Sequence, residues 1–348
     1  MRSPRGSAQH PTAGSAQRPP AAAGATEDDR ALTVTVLTPT FNRCQELPRL
    51  YESLCLQTYT DFEWLIVDDG SSDGTDELVR GWAREAAFPI RYLQQPNSGK
   101  HVALNRGVEH AGGRYCAVID SDDRYPRHAL ERMIHHWEAI PADQRDSFAN
   151  VEGLCAFSDG AIVGSRFPAD VFDSDGLEIR CKYGVRGDTK GMFRTDVLRE
   201  FPFPEDLGRF VTEALVWNRI ALRYRSRFVN EVLGYNKYLP GGLSSRPVRA
   251  TIEASKASLQ YYQELLASKR ALGRAATIRA YANLIRHSLH QGAPAREQMQ
   301  VVPSTLLWLL TGPLGIALYL RDRAAVRGER DPHAPARSSA SDDPLPRS

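Results

Sequence analysis

Apolar positions in the first half of the chain alternate between two rhythms. Thr33 to Thr38 (TVTVLT) is β-branched and closes at Pro39, which predicts a buried strand. Gln45 to Gln57 then spaces Leu47, Leu50 and Leu54 at helical intervals, and Phe62 to Val67 predicts a second strand. A Ser/Asp/Gly turn opens a second helix over Thr75 to Ala86. Pro89 to Leu93 is the third strand, His101 to His110 a helix ending at Gly112-Gly113, and Tyr115 to Ile119 a fourth strand running into Asp120-Ser121-Asp122-Asp123. Four such β-α steps predict an α/β fold, a mostly parallel sheet covered by helices on both faces.

Beyond Asn150 the rhythm is irregular. A strand-like Val151 to Phe157, a long loop region to Lys190 and a helix around Thr212 to Tyr224 are expected, then amphipathic helices over Val248 to Leu266 and Ala271 to His290. Val301 to Leu320 carries no charge over twenty residues and is followed by Arg321, Arg323, Arg327 and Arg330, so length and flank admit a membrane span. Two prolines and two glycines within it count against that. A helix or broken hairpin making peripheral contact with the cytoplasmic membrane face, and a buried C-terminal helix pair, are the remaining readings. Residues 1–30 and 328–348 are Pro-, Ala-, Ser- and Arg-rich and read as a disordered leader and tail. The expected plan is a domain over 31–247, with a donor half at 31–140 and an acceptor half at 150–247, then a helical region at 248–327.

Charge and cysteine usage narrow this little. The 348 residues hold 44 basic and 42 acidic side chains, a net charge of +2, which gives no field for nucleic acid. Cysteines 44, 55, 116, 155 and 181 show no metal-ligand spacing and read as reduced, buried thiols in a cytosolic protein, with no disulfide frame.

In parallel α/β sheets ligands sit beyond the carboxyl ends of the strands. The residues there are polar apart from the first: Pro39, Thr40, Asn42 and Arg43; Asp68 and Asp69; Lys100; and Asp120, Ser121, Asp122 and Asp123. Three carboxylates within four residues repel one another unless a cation neutralises them, and oxygen ligands of this kind suit Mg²⁺ or Mn²⁺, with a substrate's phosphates completing the shell. The competing reading is a turn capping a helix begun by Pro126. Glycines around Asp68-Asp69 permit a tight turn whose carboxylates can accept from a base imide or ribose hydroxyls, and Lys100 could meet a phosphate as a point charge.

Taken in order, PTFNR, VDDGSSDGT, NSGK and AVIDSDD resemble the donor-binding half of the family 2 glycosyltransferases, which have a GT-A type fold, over about Leu32 to Trp137. The resemblance implies that Asp69 contacts the nucleotide base, that Lys100 lies near the nucleotide, and that Asp120 and Asp122 form the DxD motif on ribose and metal-diphosphate, Asp123 sharing the metal role. Phe210 to Arg219 (FVTEALVWNR) looks like the family's acceptor-side helix head, with Glu213 as general base and no second acid beside it; a plain helix-dipole role is the alternative. Gly187 to Arg194 resembles the stretch lining the reaction centre, making Asp188 a secondary candidate. Tyr238 to Arg246 carries a Gly pair suited to a mobile loop, from which Arg246 could grip the diphosphate. His135 and His136 diverge on their helix and read as packing or surface residues.

The resemblance therefore implies a metal-dependent inverting transfer from a nucleotide-sugar donor, UDP-linked forms favoured, to a saccharide or lipid-linked acceptor. Cell-envelope polysaccharide or glycolipid synthesis on the cytoplasmic side, at the inner membrane face, is the expected setting. Two rivals are a sugar-phosphate nucleotidyltransferase, which needs a Gly-rich loop where Pro39 to Arg43 has no glycine, and a non-catalytic binding subunit of the same fold.

Overall fold

The computed structural model describes residues 32–237, 247–268 and 272–328. The leader, the Tyr238 to Arg246 loop with Arg246, and nearly all of the tail lie outside them. The chain begins with β1 (Val34–Thr40), α1 (Leu47–Cys55), β2 (Phe62–Asp68), α2 (Thr75–Glu85), β3 (Ile90–Gln94), α3 (Lys100–His110), β4 (Tyr115–Val118) and α4 (Ala129–Glu138). β1 and β2 are buried at every position because helices cover both faces. Successive side chains serve opposite layers. Val34, Val36, Trp64 and Ile66 pack with Leu50 and Leu54 of α1 and with Met133 and Trp137 of α4. Leu37, Leu65 and Val67 pack with Ala103, Leu104 and Val108 of α3. Buried Glu63 is answered by Arg91 Nη1 at 3.1 Å, Thr35 Oγ1 at 2.7 Å and the Gly112 amide at 2.9 Å, so this acid inside β2 is not left unpaired.

The second half is more regular than its sequence pattern suggests. β5 (Phe148–Ala156) is followed by β6 (Val171–Ser174), α5 (Gly176–Cys181), β7 (Thr189–Arg194), α6 (Thr195–Glu200), α7 (Ala214–Ala221) and β8 (Arg225–Tyr235). Two strands and a helix thus occupy or adjoin what the sequence reads as a loop up to Lys190. They are short, and α5 is defined by its cap, Asp175 accepting from the Leu177 and Glu178 amides, rather than by apolar periodicity. The eight strands form one sheet in the order β3-β2-β1-β4-β7-β5-β8-β6. β1, β2, β3 and β4 are mutually parallel, and β7 joins β4 and β5 antiparallel, so the sheet is mixed. That reversal carries the start of β7 back to the carboxyl end of β4.

Two smaller expectations change. The helix after the acidic turn starts at Ala129, not at Pro126. Of the five cysteines, all free, only Cys116 and Cys155 are buried; Cys55 is exposed.

The C-terminal helices are α8 (Pro247–Glu253), α9 (Ser255–Ala267), α10 (Arg274–His290), α11 (Ala295–Gln300) and α12 (Thr305–Gly328). α12 is one continuous helix with Pro313 inside it, neither a broken hairpin nor a fully buried partner of α10. Among the described residues no helix is long and apolar enough to cross a membrane.

Candidate active site

The acidic turn lies just past β4 at the carboxyl edge of the parallel strands. One ligand oxygen from each of Asp120, Asp122 and Asp123 falls within 4.8 Å of the others. Two lysines from distant segments reach this cluster. Lys100, the first residue of α3, sets Nζ 2.6 Å from Asp120 Oδ1 and 2.7 Å from Glu213 Oε1. Lys190, on β7, sets Nζ 2.7 Å from Asp123 Oδ2 with its side chain 11% exposed.

Burial disfavours charge on Lys100, but Asp120 and Glu213 outweigh it and hold the ammonium above its ordinary pKa. Burial likewise opposes ionisation of Asp120, yet Lys100 and Lys190 hold that carboxyl well below the usual range. Asp122 is different: burial and then the charge of Asp120 push it up. Asp123 is also raised by burial, with Lys190 working against the shift. Three clustered carboxylates, two of them raised by burial and by their neighbours' charge, form a hard oxygen donor set that fits a divalent cation. Asp123 keeps its second oxygen near the Lys237 amide at 3.2 Å.

The first and second strand ends are laced together. Asn42, at a positive φ of 52°, donates its amide to Ser71 Oγ at 2.7 Å and accepts from the Ser72 amide at 2.9 Å. Asp68 Oδ1 accepts from the Ser71 amide and hydroxyl at 2.9 and 2.6 Å, and Asp68 Oδ2 accepts from Tyr92. Asp69 accepts from the Ser98 amide at 2.7 Å, the Gly99 amide at 2.8 Å and Gln95 Nε2 at 2.8 Å, fastening the loop that ends at Lys100. Gly99 is obligatory there. Its φ is +108°, and a Cβ would stand 2.7 Å from the Arg209 carbonyl oxygen, so the loop lies flat against the chain leading to Glu213.

The remaining sequence candidates divide. Pro39 and Thr40 are buried at the end of β1, and the Thr40 hydroxyl has no protein partner. Arg43 is close enough for its charge to act on Asp120 and Asp122. Ser121 is buried within the acidic turn. Asp188 is exposed and accepts from Asn236 Nδ2 at 2.9 Å. The structure thus brings Lys100, Asp120, Asp122, Asp123 and Glu213 together, and places Asp68, Asp69 and Asn42 in the loop framework beside them. His136 is buried and meets Glu231 at 2.9 Å, in keeping with packing. Lys190 escapes the sequence reading. The only signal was a lone lysine in an apolar strand, T-K-G-M-F-R, where a charge needs a partner.

The mixed sheet with its acidic turn at the strand ends is a GT-A type of α/β fold. Residues 35–199 match the family model described as glycosyl transferase family 2, and that segment of the chain belongs to it. Similar proteins include YibD of Escherichia coli, an uncharacterized glycosyltransferase, 40% identical over 95 residues that are 27% of each chain. The glycosyltransferase GlyA of Streptococcus pneumoniae is 29% identical over 145 residues, 40% of this chain and 20% of that one. TuaG of Bacillus subtilis, named for teichuronic acid biosynthesis, is 35% identical over 102 residues, 29% of this chain and 40% of its own. The matches therefore span 20% to 40% of these three curated relatives. Among solved structures, S. aureus TarS 1-349 in complex with UDP-GlcNAc superposes with a TM-score of 0.56 at 18% identity, covering 85% of this chain and 92% of that one. The mannosyltransferase PcManGT of Pyrobaculum calidifontis, in complex with GDP-Man and Mn²⁺, gives 0.52 at 19% identity, covering 86% and 84%.

Proposed function

We propose that this protein transfers a sugar, with inversion, from a nucleoside-diphosphate sugar to a hydroxyl acceptor. The observation that carries the reading is Lys100 Nζ touching both Asp120 and Glu213, because it joins the donor-side acidic turn to the one acid at the head of α7. Asp69 and the loop it fastens form the nucleotide-base side of the site, with Pro39, Thr40, Asn42 and Arg43 along its floor. Asp120 and Ser121 face the ribose, and Asp122 and Asp123 would hold Mg²⁺ or Mn²⁺, Asp123 steadied by Lys190. A bound cation supplies charge neutralisation to the departing diphosphate.

The acceptor oxygen attacks the anomeric carbon on the face opposite the diphosphate. The carbon–oxygen bond to the diphosphate breaks with its electron pair, and Glu213 takes the acceptor's proton. Lys100, released from Glu213 as phosphate arrives, follows the negative charge to the donor and leaves Glu213 free to act as base. Asp188 borders the acceptor side, and Arg246 closes on the diphosphate.

A UDP-linked donor is the favoured form, supported by the fold shared with TarS and its UDP-GlcNAc, while PcManGT with GDP-Man keeps a guanine donor in the comparison. A saccharide or lipid-linked acceptor in cell-envelope polysaccharide or glycolipid synthesis is supported by the likeness to TuaG. Residues 31–247 act as the transferase domain and 248–327 as a helical region that places it at the cytoplasmic membrane face through 301–320. Thermal shift across a panel of sugar nucleotides with Mg²⁺ or Mn²⁺ tests the donor assignment. A metal-dependent rise with one nucleotide, lost in Asp122→Asn, supports it; no rise with any donor refutes it.

A further inference from the structure

α12 has two unlike faces. One is fixed to the body of the protein. Gly315 lets α12 approach α10 so closely that a Cβ would meet Ile285 at 2.7 Å. Trp308 Nε1 donates to Gln298 Oε1, and Asp322, 0% exposed, is gripped by Arg286 at 2.5 and 2.8 Å and by His290 Nε2 at 3.0 Å. The other face is bare: Leu306, Leu309, Leu310, Leu314, Ile316 and Leu320 are 45–69% exposed. From Leu306 to Leu320 every exposed position is apolar. At 100° per residue they fill an arc of roughly 160°. Arg321, Arg323 and Arg327 follow on the same arc and its flanks, all exposed.

What could cover such a face is limited by composition and charge. Residues 1–31 contain no Val, Leu, Ile, Phe, Tyr or Trp, and residues 329–348 contain only Leu345 from that set, so neither can supply a matching apolar surface. A second copy pairs poorly. Between Ala295 and Gly328 the only acids are Glu297 and the buried Asp322, so an antiparallel pair would set each arginine cluster against the uncharged 301–306 segment. A parallel pair would set arginine against arginine. An apolar strip ending in arginines complements a surface that is apolar beneath and anionic above.

We propose that α12 lies in the plane of an anionic lipid bilayer, its Leu306–Leu320 face in the acyl-chain boundary and Arg321, Arg323 and Arg327 on the headgroup phosphates. The docked helix is joined by buried and part-buried contacts to the helix that Glu213 heads. Asp322 ties α12 to α10, His287 of α10 meets Ser255 of α9 at 3.2 Å, and Glu264 of α9 holds Arg219 of α7 at 2.7 and 2.8 Å. Bilayer contact through α12 thus sets the orientation of the acceptor side of the site toward the lipid. The inference rests on the transferase reading only for the claim that the acceptor is presented there.

Co-sedimentation of the full chain with vesicles of phosphatidylcholine, and of phosphatidylcholine mixed with phosphatidylglycerol, tests it. The chain is expected to pellet with the mixed vesicles. Leu309→Glu/Leu310→Glu lowers partitioning at least about tenfold, and each of Arg321→Ser, Arg323→Ser and Arg327→Ser lowers it roughly fivefold. These positions are exposed, so donor hydrolysis in the same samples stays at the wild-type rate. A wild-type chain that stays in the supernatant with both vesicles overturns the proposal, as does a double-Glu variant that pellets equally well. A dimer in light scattering that the double-Glu change converts to a monomer, with no vesicle binding, overturns it in favour of self-association. Vesicle binding without turnover of any sugar nucleotide sinks the transferase reading and leaves the membrane face standing.

Discussion

Lys190 Nζ lies 2.7 Å from Asp123 Oδ2, and neither side chain is more than 11% exposed. A buried carboxylate stays ionised and in place only while a cation answers it. Lys190→Met is therefore expected to lower transfer about 10–100-fold, the usual cost of removing a group that steadies a metal-binding side chain. Steady-state kinetics at fixed donor check this; a wild-type rate would detach Lys190 from the site.

Glu213 shares Lys100 with Asp120 and is the one acid at the head of α7. Glu213→Gln keeps the shape and removes the base, so kcat should fall roughly 10²–10⁴-fold. Calorimetry with the donor should show binding retained. Loss of donor binding instead would recast Glu213 as a residue that merely positions Lys100.

Gly99 holds a φ of +108° with the Arg209 carbonyl 2.7 Å from where a Cβ would sit. Gly99→Ala must shift the loop between Asp69 and Lys100, at a cost of about 1–3 kcal/mol for a non-glycine residue in such backbone. Donor affinity is expected to drop with it. A variant with unchanged melting and unchanged donor affinity would show that the loop does not need this approach.

His287 is 3% exposed, stacks on Tyr262, and burial, then the charges of Arg286 and His290, push its pKa down to about 4. The folded value lies below the unfolded one, so its contribution is intact above the unfolded pKa of 6.5 and is lost as pH falls from there to about 4. The two end states differ by roughly 3 kcal/mol. Urea unfolding from pH 7 to pH 4 should show this decline, and His287→Gln should flatten it. An unchanged slope in the variant would assign acid sensitivity to other groups.

The first half of the fold was legible because its strands are buried on both faces. Thr33 to Thr38 and Phe62 to Val67 are short runs rich in β-branched and apolar residues, each followed by a helix-period segment, and the observed β1 and β2 differ from them by a residue or two. Asp120, Asp122 and Asp123 were legible as a cluster because they are adjacent in sequence. Lys190 was not, since its meeting with Asp123 depends on β7 running antiparallel beside β4, a pairing no local pattern encodes. β6 and β7 have four and six residues, too few for a period to declare itself, and β6 lies at the sheet edge with Val171 exposed. α12 stayed ambiguous for another reason: both its faces are largely apolar, one against α10 and one bare, so the sequence could not say which was covered.

The central claim is that the acidic turn and Glu213 transfer sugar from a nucleotide donor, and release of nucleoside diphosphate from a panel of sugar nucleotides tests it most directly. With Mg²⁺ or Mn²⁺ present, slow release from one donor is expected even without acceptor. It should disappear on chelation, return when the metal is restored, and fall about 10²-fold or more in Asp122→Asn. Release from no donor, or release that chelation and Asp122→Asn leave untouched, would contradict the account.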